Sequence, residues 1–154
     1  MEGNFSNLGR YITILDRLMK MYYDRELSKF KIGWGQQFYV EYLYEHPGAS
    51  AQDMVERFRV DKGTLTKVIK KLTEIGYVKV VRNQADKRIK QLYLTEEALP
   101  SAEKIKEIHI SFYDTLCGNI AKEDISRAER IMEQMMENVT QKVWHRMEEH
   151  HGEQ

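Results

Sequence analysis

The sequence predicts a mainly α-helical protein with one small β-hairpin, an α+β chain, on three observations. Apolar residues recur at three- and four-residue steps over both ends of the chain, the period of a helix with one buried face. Past the middle, a short stretch turns to β-branched and aromatic residues with apolar side chains at alternate positions. Between these regions stand caps and stops (Ser50, Asp61, Gly76 and His46-Pro47-Gly48) that cut the centre into short pieces.

The first helix is predicted over residues 5 to 29, where Phe5, Leu8, Ile12, Leu15, Leu18, Met19 and Tyr22 share one face. A second runs from Gly35 to Tyr44 and is stopped by His46-Pro47-Gly48. Ser50 caps a third over residues 51 to 58. After Arg59-Val60, Asp61 caps a fourth that reaches Ile75, with Gly76 as a left-handed end. Tyr77-Val78-Lys79-Val80-Val81 then reads as a strand, followed by a charged loop, residues 82 to 88, and a second strand over 89 to 94. In that second strand Ile89, Gln91 and Tyr93 share one face, and Lys90, Leu92 and Leu94 the other. Helix returns with two stripes: Ile105, Ile108, Phe112, Leu116 and Ile120, then Ile131, Met132, Met135, Val139, Val143 and Met147. Pro100 predicts a delayed start or a kink in the first of them.

With 154 residues the chain reads as a single subunit, 1–154. No apolar run approaches the ~20 residues of a membrane span and no signal-peptide pattern opens the chain, so a cytoplasmic protein without a membrane partner is expected. One cysteine, Cys117, leaves no internal disulfide to form and fits a reducing compartment.

The 24 basic and 24 acidic side chains balance, but not locally. Residues 61 to 90 hold nine basic side chains (Lys62, Lys67, Lys70, Lys71, Lys79, Arg82, Lys87, Arg88, Lys90) against Asp61, Glu74 and Asp86, so this stretch carries +6 and the remainder −6. Local charge, not the neutral total, bears on nucleic acid.

Helix, turn, helix and two-stranded wing is the order of a winged helix-turn-helix, whose second helix enters the major groove. On a wheel, Leu65, Val68, Ile69, Leu72 and Ile75 of the fourth helix form a core face, with Gly63, Thr66, Lys67, Lys70 and Lys71 opposite. A lone outer lysine usually just solvates its helix. Here one sign runs over three turns, with Glu74 the only acid, whereas a solvated face normally mixes signs. Lys62, Lys67, Lys70 and Lys71 can reach phosphates or guanine edges, and Thr64 and Thr66 can donate to phosphate oxygens. Gly63 allows close approach. In the loop, Arg82, Lys87, Arg88 and Lys90 crowd one tip that could enter a minor groove, with Asp86 placed to orient Arg88.

The stretch "DKGTLTKVIKKLTEIGYVKV", then Asp86-Lys87-Arg88, then "LYLT" ending at Thr95, resembles the multiple antibiotic resistance regulator (MarR) family of bacterial transcription factors. The resemblance covers residues 35 to 98. It implies a winged lobe over 35–95 and a helical dimerisation region over 5–30 and 101–148. It further implies a homodimer on palindromic double-stranded DNA, with residues 61 to 71 as recognition helix and Arg88 as minor-groove arginine, supported by Asp86. A repressor released by a small aromatic or phenolic effector is expected, its pocket lined by Tyr11, Tyr22, Tyr23, Trp34, Phe38 and Phe112; the same rings could simply fill the junction. Family members often carry a glycine soon after "LT", where this chain has Glu96-Glu97-Ala98-Leu99-Pro100.

No nucleophile-base pair, phosphate loop or hydrolase spacing appears, so an enzyme is not expected, nor a cofactor. Cys117, beside the Phe112/Leu116 stripe, reads as core rather than redox sensor. His46 and His109 stand alone, and His145, His150 and His151 cluster near the end, which makes no metal set. The methionines read as core or dimer seam. The rival function is a winged-helix protein-interaction module with only non-specific DNA affinity.

Overall fold

The structure, a computed structural model, describes residues 7–151, with side chains of the last helix described to Val143. Phe5 lies outside the described residues, as do the side chains of His145, Met147, His150 and His151. Helix α1 (Leu8–Leu27) runs into a single 3-10 turn, Ser28–Phe30. Helices α2 (Gln36–Glu45), α3 (Ala51–Phe58) and α4 (Lys62–Glu74) make the compact centre. Strands β2 (Val78–Arg82) and β3 (Lys90–Leu94) form the hairpin, and the long helices α5 (Leu99–Cys117) and α6 (Lys122–His151) follow.

The predicted caps form. Ser50 and Asp53 make a reciprocal capping box at α3, satisfying backbone N–H groups that the first helical turn leaves without partners. Asp61 accepts the Thr64 N–H at 2.8 Å. Helix α4 ends with Gly76 at φ 81°, where the Tyr77 N–H donates to the Leu72 carbonyl at 2.8 Å and the Gly76 N–H to Thr73 at 3.0 Å. The turn between α3 and α4 rests on Arg59, a non-glycine residue at φ 50°.

A short strand, β1 (Ala49–Ser50), was not expected. It pairs antiparallel with β3 (Ala49 with Leu92, Ser50 with Gln91), giving a three-stranded sheet in the order β1-β3-β2. Register between β2 and β3 sets Val78 opposite Leu94 and Val80 opposite Leu92, so Val78, Leu92 and Leu94 turn inward. Thr95 ties the wing to the end of α4, donating its hydroxyl to the Gly76 carbonyl at 2.6 Å. The same side chain caps the 3-10 turn Glu96–Ala98, which runs directly into α5. Pro100 therefore neither delays nor kinks the helix: it sits in the first turn, where its missing N–H has no partner to lose.

One core joins these pieces, with Tyr23, Leu27, Val40, Leu43, Met54, Leu72 and Ile105 at its centre. The expected face of α4 packs into it, Leu65 and Leu72 fully and Val68, Ile69 and Ile75 in part. The two C-terminal stripes do not follow it throughout. Ile105 is buried and Ile108 and Phe112 partly so, but Leu116 is 40% exposed; Ile120 lies beyond the end of α5.

Candidate nucleic-acid interface

The exposed side of α4 begins at its cap. The Asp61 carboxylate takes the Thr64 N–H and the Thr64 hydroxyl, and these hydrogen bonds, the hydroxyl's first, hold it below the usual carboxylate range. The Thr66 hydroxyl donates to the Lys62 carbonyl at 2.7 Å. Both threonine hydroxyl protons are thus engaged within the helix and its cap. Gly63 has a local reason as well as the expected one, since a Cβ there would stand 3.1 Å from the Asp61 carboxylate.

The four lysines differ. Lys71 donates to the Gln36 side chain at 2.9 Å, and Lys70 lies 3.9 Å from Glu74. Lys62 and Lys67 have no polar side-chain partner among the described residues. A groove of about 310 Å³ runs between α3, α4 and the sheet, and it gathers Lys62 and Thr66 of α4, Gln52 of α3 and Lys90 of β3 over the apolar floor of Leu65, Val80 and Leu92. Recognition-helix candidates and a wing cation therefore border one surface.

The loop of residues 83–89 is organised by two carbonyl-bearing side chains. Asn83 accepts the Ala85 and Asp86 N–H groups at 2.8 and 3.1 Å, and Asp86 accepts the Arg88 N–H at 3.0 Å. Asp86 also lies 3.5 Å from the Arg88 guanidinium, which remains 95% exposed. Asp86 and Arg88 thus form an exposed ion pair at the loop, the pairing that the spacing suggested. Arg82 and Lys90 face each other across the ladder, while Lys87 is exposed at the tip. Asn83 went unread in the sequence, although an Asx residue two and three positions before a bend is a recognisable signal.

The aromatic candidates divide. Tyr22, Tyr23, Trp34, Phe38 and Phe112 meet where α1, α2 and α5 join: Tyr23 stacks on Trp34 at 5.2 Å and touches Phe112 at 5.2 Å, and Trp34 meets Phe38 edge-on at 5.5 Å. Tyr22 packs on Phe112 at 4.8 Å. Tyr11 is not among them, being 52% exposed on α1 beneath Arg10. Asp24 fixes the approach to Trp34 by accepting its N–H at 2.9 Å, and it pairs with Lys20, whose hydrogen bond lowers the Asp24 pKa.

Beside this cluster lies polar chemistry the sequence did not reveal. His109 is not isolated: its Nδ1 lies 2.7 Å from Glu41, and that hydrogen bond raises its pKa above the ordinary imidazole value. Burial, reinforced by the Glu41 charge, pushes the Tyr23 hydroxyl well up. Gln37, one helical turn before Glu41, is fully buried. The signal was present as Gln and Glu spaced i, i+4 on a core helix, but polar residues normally read as surface. Cys117 is half-buried at the end of α5, outside the core, and its hydrogen bond with Tyr113 raises that tyrosine's pKa.

Comparison with known proteins places this arrangement. The MarR family model matches residues 33–90. The HTH-type transcriptional regulator BilQ of Clostridioides difficile is 30% identical over 104 residues, covering 68% of this chain and 70% of that protein. A MarR protein from Peptoclostridium difficile superposes with a TM-score of 0.84 at 27% identity, over 96% of this chain and 95% of that one. A MarR family transcriptional regulator from Listeria monocytogenes, solved in complex with 26mer DNA, shares the fold with a TM-score of 0.83 at 19% identity, over 91% and 93% of the two chains.

Proposed function

The chain belongs to the MarR family of transcriptional regulators, and on that premise we propose that it binds palindromic double-stranded DNA as a homodimer and represses from it. It is a regulator, not an enzyme. The observation that carries the reading is the shared groove, in which Lys62 and Thr66 of α4 stand against Lys90 of the wing. Helix α4 would lie in the major groove with Lys67 and Lys70 on flanking phosphates, and Arg88, aimed by Asp86, would reach the minor groove. Supporting this, a protein of the same fold has been solved on a 26mer DNA.

The homodimer rests on surface that one chain cannot cover. This chain of 18.3 kDa exposes 11813 Å². A compact monomer of that mass would expose roughly 8,100 Å². Two apolar faces stand open: Leu8, Ile12, Leu15 and Leu18 on α1 and Ile131, Met132, Val139 and Val143 on α6 are all at least 40% exposed. A second copy covers such faces by symmetry, with helices 5–30 and 101–148 as the dimerisation region and 35–95 as the DNA-binding lobe. A small effector bound where α1, α2 and α5 join would shift the lobes and release the operator. No helix among the described residues is long and apolar enough to cross a membrane.

Selection of bound duplexes from a random library at near-physiological salt tests the reading. An enriched palindrome with half-sites about one helical turn apart is expected. Weak, salt-sensitive binding without enrichment by a folded dimer would instead support the protein-docking role.

A further inference from the structure

The basic face of α4 is held near its C-terminal end by an atom of another element. Lys71, in the last turn, donates to Gln36 Oε1 at 2.9 Å. Gln36 opens α2, and the same oxygen accepts the Gly33 N–H at 3.0 Å, while the Gln36 N–H donates to the Gly33 carbonyl at 3.1 Å. An amide oxygen has two lone pairs, so these two donors saturate it. The reciprocal bonds with Gly33 close a tight loop between α1 and α2, in which Lys31 and Gly35 take left-handed backbone at φ 62° and 87°. Asp24 holds the middle of that loop by accepting the Trp34 N–H at 2.9 Å, and the Trp34 ring stacks on Tyr23. Gln36 thus sits half-buried in a fixed frame, whereas Lys71 reaches it with an exposed, flexible arm from 35 positions away.

We propose that Gln36 is a positioning residue for DNA binding, a latch that holds the Lys71 ammonium against the α1–α2 loop and so withholds it from phosphate. A neutral amide oxygen and an anionic phosphate oxygen compete for the same cation, and the charge-assisted bond to phosphate is the stronger. Lys71 therefore changes partners when DNA comes within reach, and the gain from the phosphate is partly offset by the bond to Gln36 that it breaks. Lys67, one turn away and without a polar side-chain partner among the described residues, has nothing to break. The exchange works in both directions. DNA that draws Lys71 away leaves Gly33 as the remaining protein donor to Gln36 Oε1, which loosens the loop that carries Trp34. The inference rests on the reading of α4 as the DNA-facing helix, and adds a residue outside that helix that sets how much one of its lysines contributes.

The test measures the affinity of the full chain for one duplex selected from the library above, over a range of salt concentrations. Gln36→Met keeps the length of the side chain and removes the acceptor. It should tighten binding roughly threefold and steepen the slope of log affinity against log salt by up to about one unit. In that background Lys71→Ala should reduce the slope as much as Lys67→Ala does in the wild type, and with Lys71→Ala already present Gln36→Met should change nothing. A purely structural role for Gln36 would lower thermal stability but leave the slope alone, because the slope counts phosphate contacts. Should Gln36→Met fail to fold, Gln36→Asn, which draws the amide back by one methylene, should give the same changes. Unchanged or weaker binding by a folded variant, or an effect that survives Lys71→Ala, would overturn the proposal. A second readout needs no change at Gln36. With Trp144→Phe, Trp34 is the one indole left, and adding the duplex should shift its emission. No shift, or a shift that Lys71→Ala leaves intact, would equally overturn the latch. Lys67→Ala separates the two readings. If it flattens the slope while Gln36→Met does not alter it, the latch alone falls; if none of the three variants changes the slope, α4 is not the DNA face and both readings fall.

Discussion

Lys67 and Lys71 lie one turn apart on α4, yet only Lys67 has its ammonium free of a polar partner among the described residues, since Lys71 donates to Gln36. Lys67→Ala should therefore lower DNA affinity and reduce the slope of log affinity against log salt by about one unit, the signature of one lost phosphate contact. Lys71→Ala should give a smaller change in slope, because its bond to Gln36 competes with DNA. Equal slopes for wild type and Lys67→Ala would remove Lys67 from the footprint. His109 gives a prediction of another kind. Its folded pKa is raised, chiefly by the hydrogen bond to Glu41, so folding takes up protons in the window above the unfolded value of about 6.5. The stabilisation is complete below that value and is lost as pH climbs through the folded pKa. Thermal melts from pH 6 to 9 should show stability falling with this profile, and Glu41→Gln should flatten it. At this scale the open face of lysines and the nearness of Asp86 to Arg88 were legible, because both follow from spacing along one element. The Gln37–Glu41–His109 group was not, because α2 and α5 bring together residues 68 positions apart.

Elements were legible where their ends are local. Ser50, Asp61 and Gly76 each act within a few residues, and each ends or starts its helix as the sequence predicted. Strand β1 was hidden because two residues, Ala49 and Ser50, have no period; only pairing with Leu92 and Gln91 defines them. The start of α5 was misread for a related reason, as Thr95 reaches back to Gly76 and the 3-10 turn delivers the chain to Leu99 before Pro100 can act. Two glycines at similar φ separate strain from contact. Gly76 has φ 81° with open space where a Cβ would stand, so Gly76→Ala should cost the left-handed penalty alone, about 1 kcal/mol. Gly48 has φ 87°, and a Cβ there would come 2.8 Å from the Tyr93 hydroxyl and 3.1 Å from its ring. Gly48→Ala should thus cost more than Gly76→Ala and loosen the β1–β3 pairing, measured as a lower urea midpoint. Equal midpoints would mean that Tyr93 swings aside freely.

For the whole molecule the decisive surface is the one a single chain leaves uncovered. The family resemblance assigned residues 5–30 and 101–148 to dimerisation, and the fold leaves Leu15, Leu18, Met132 and Val139 exposed although neighbouring residues of α1 and α5 enter the core. Periodicity identifies an apolar face but not what covers it, so the core face and the uncovered face looked alike until the fold separated them. Val139 distinguishes the two possibilities. In an isolated chain it is 59% exposed, and a polar substitution at so open a site normally changes stability by no more than about 0.5 kcal/mol. In a homodimer sealed along α6, Val139→Asp would bury an unpaired carboxylate, which demands far more than the site can return. Size-exclusion chromatography with light scattering, alongside a thermal melt, reads the difference. Monomers or unfolded chain are expected, with DNA affinity falling because two half-sites are no longer held together. A stable, undisturbed dimer would place the interface elsewhere on the chain.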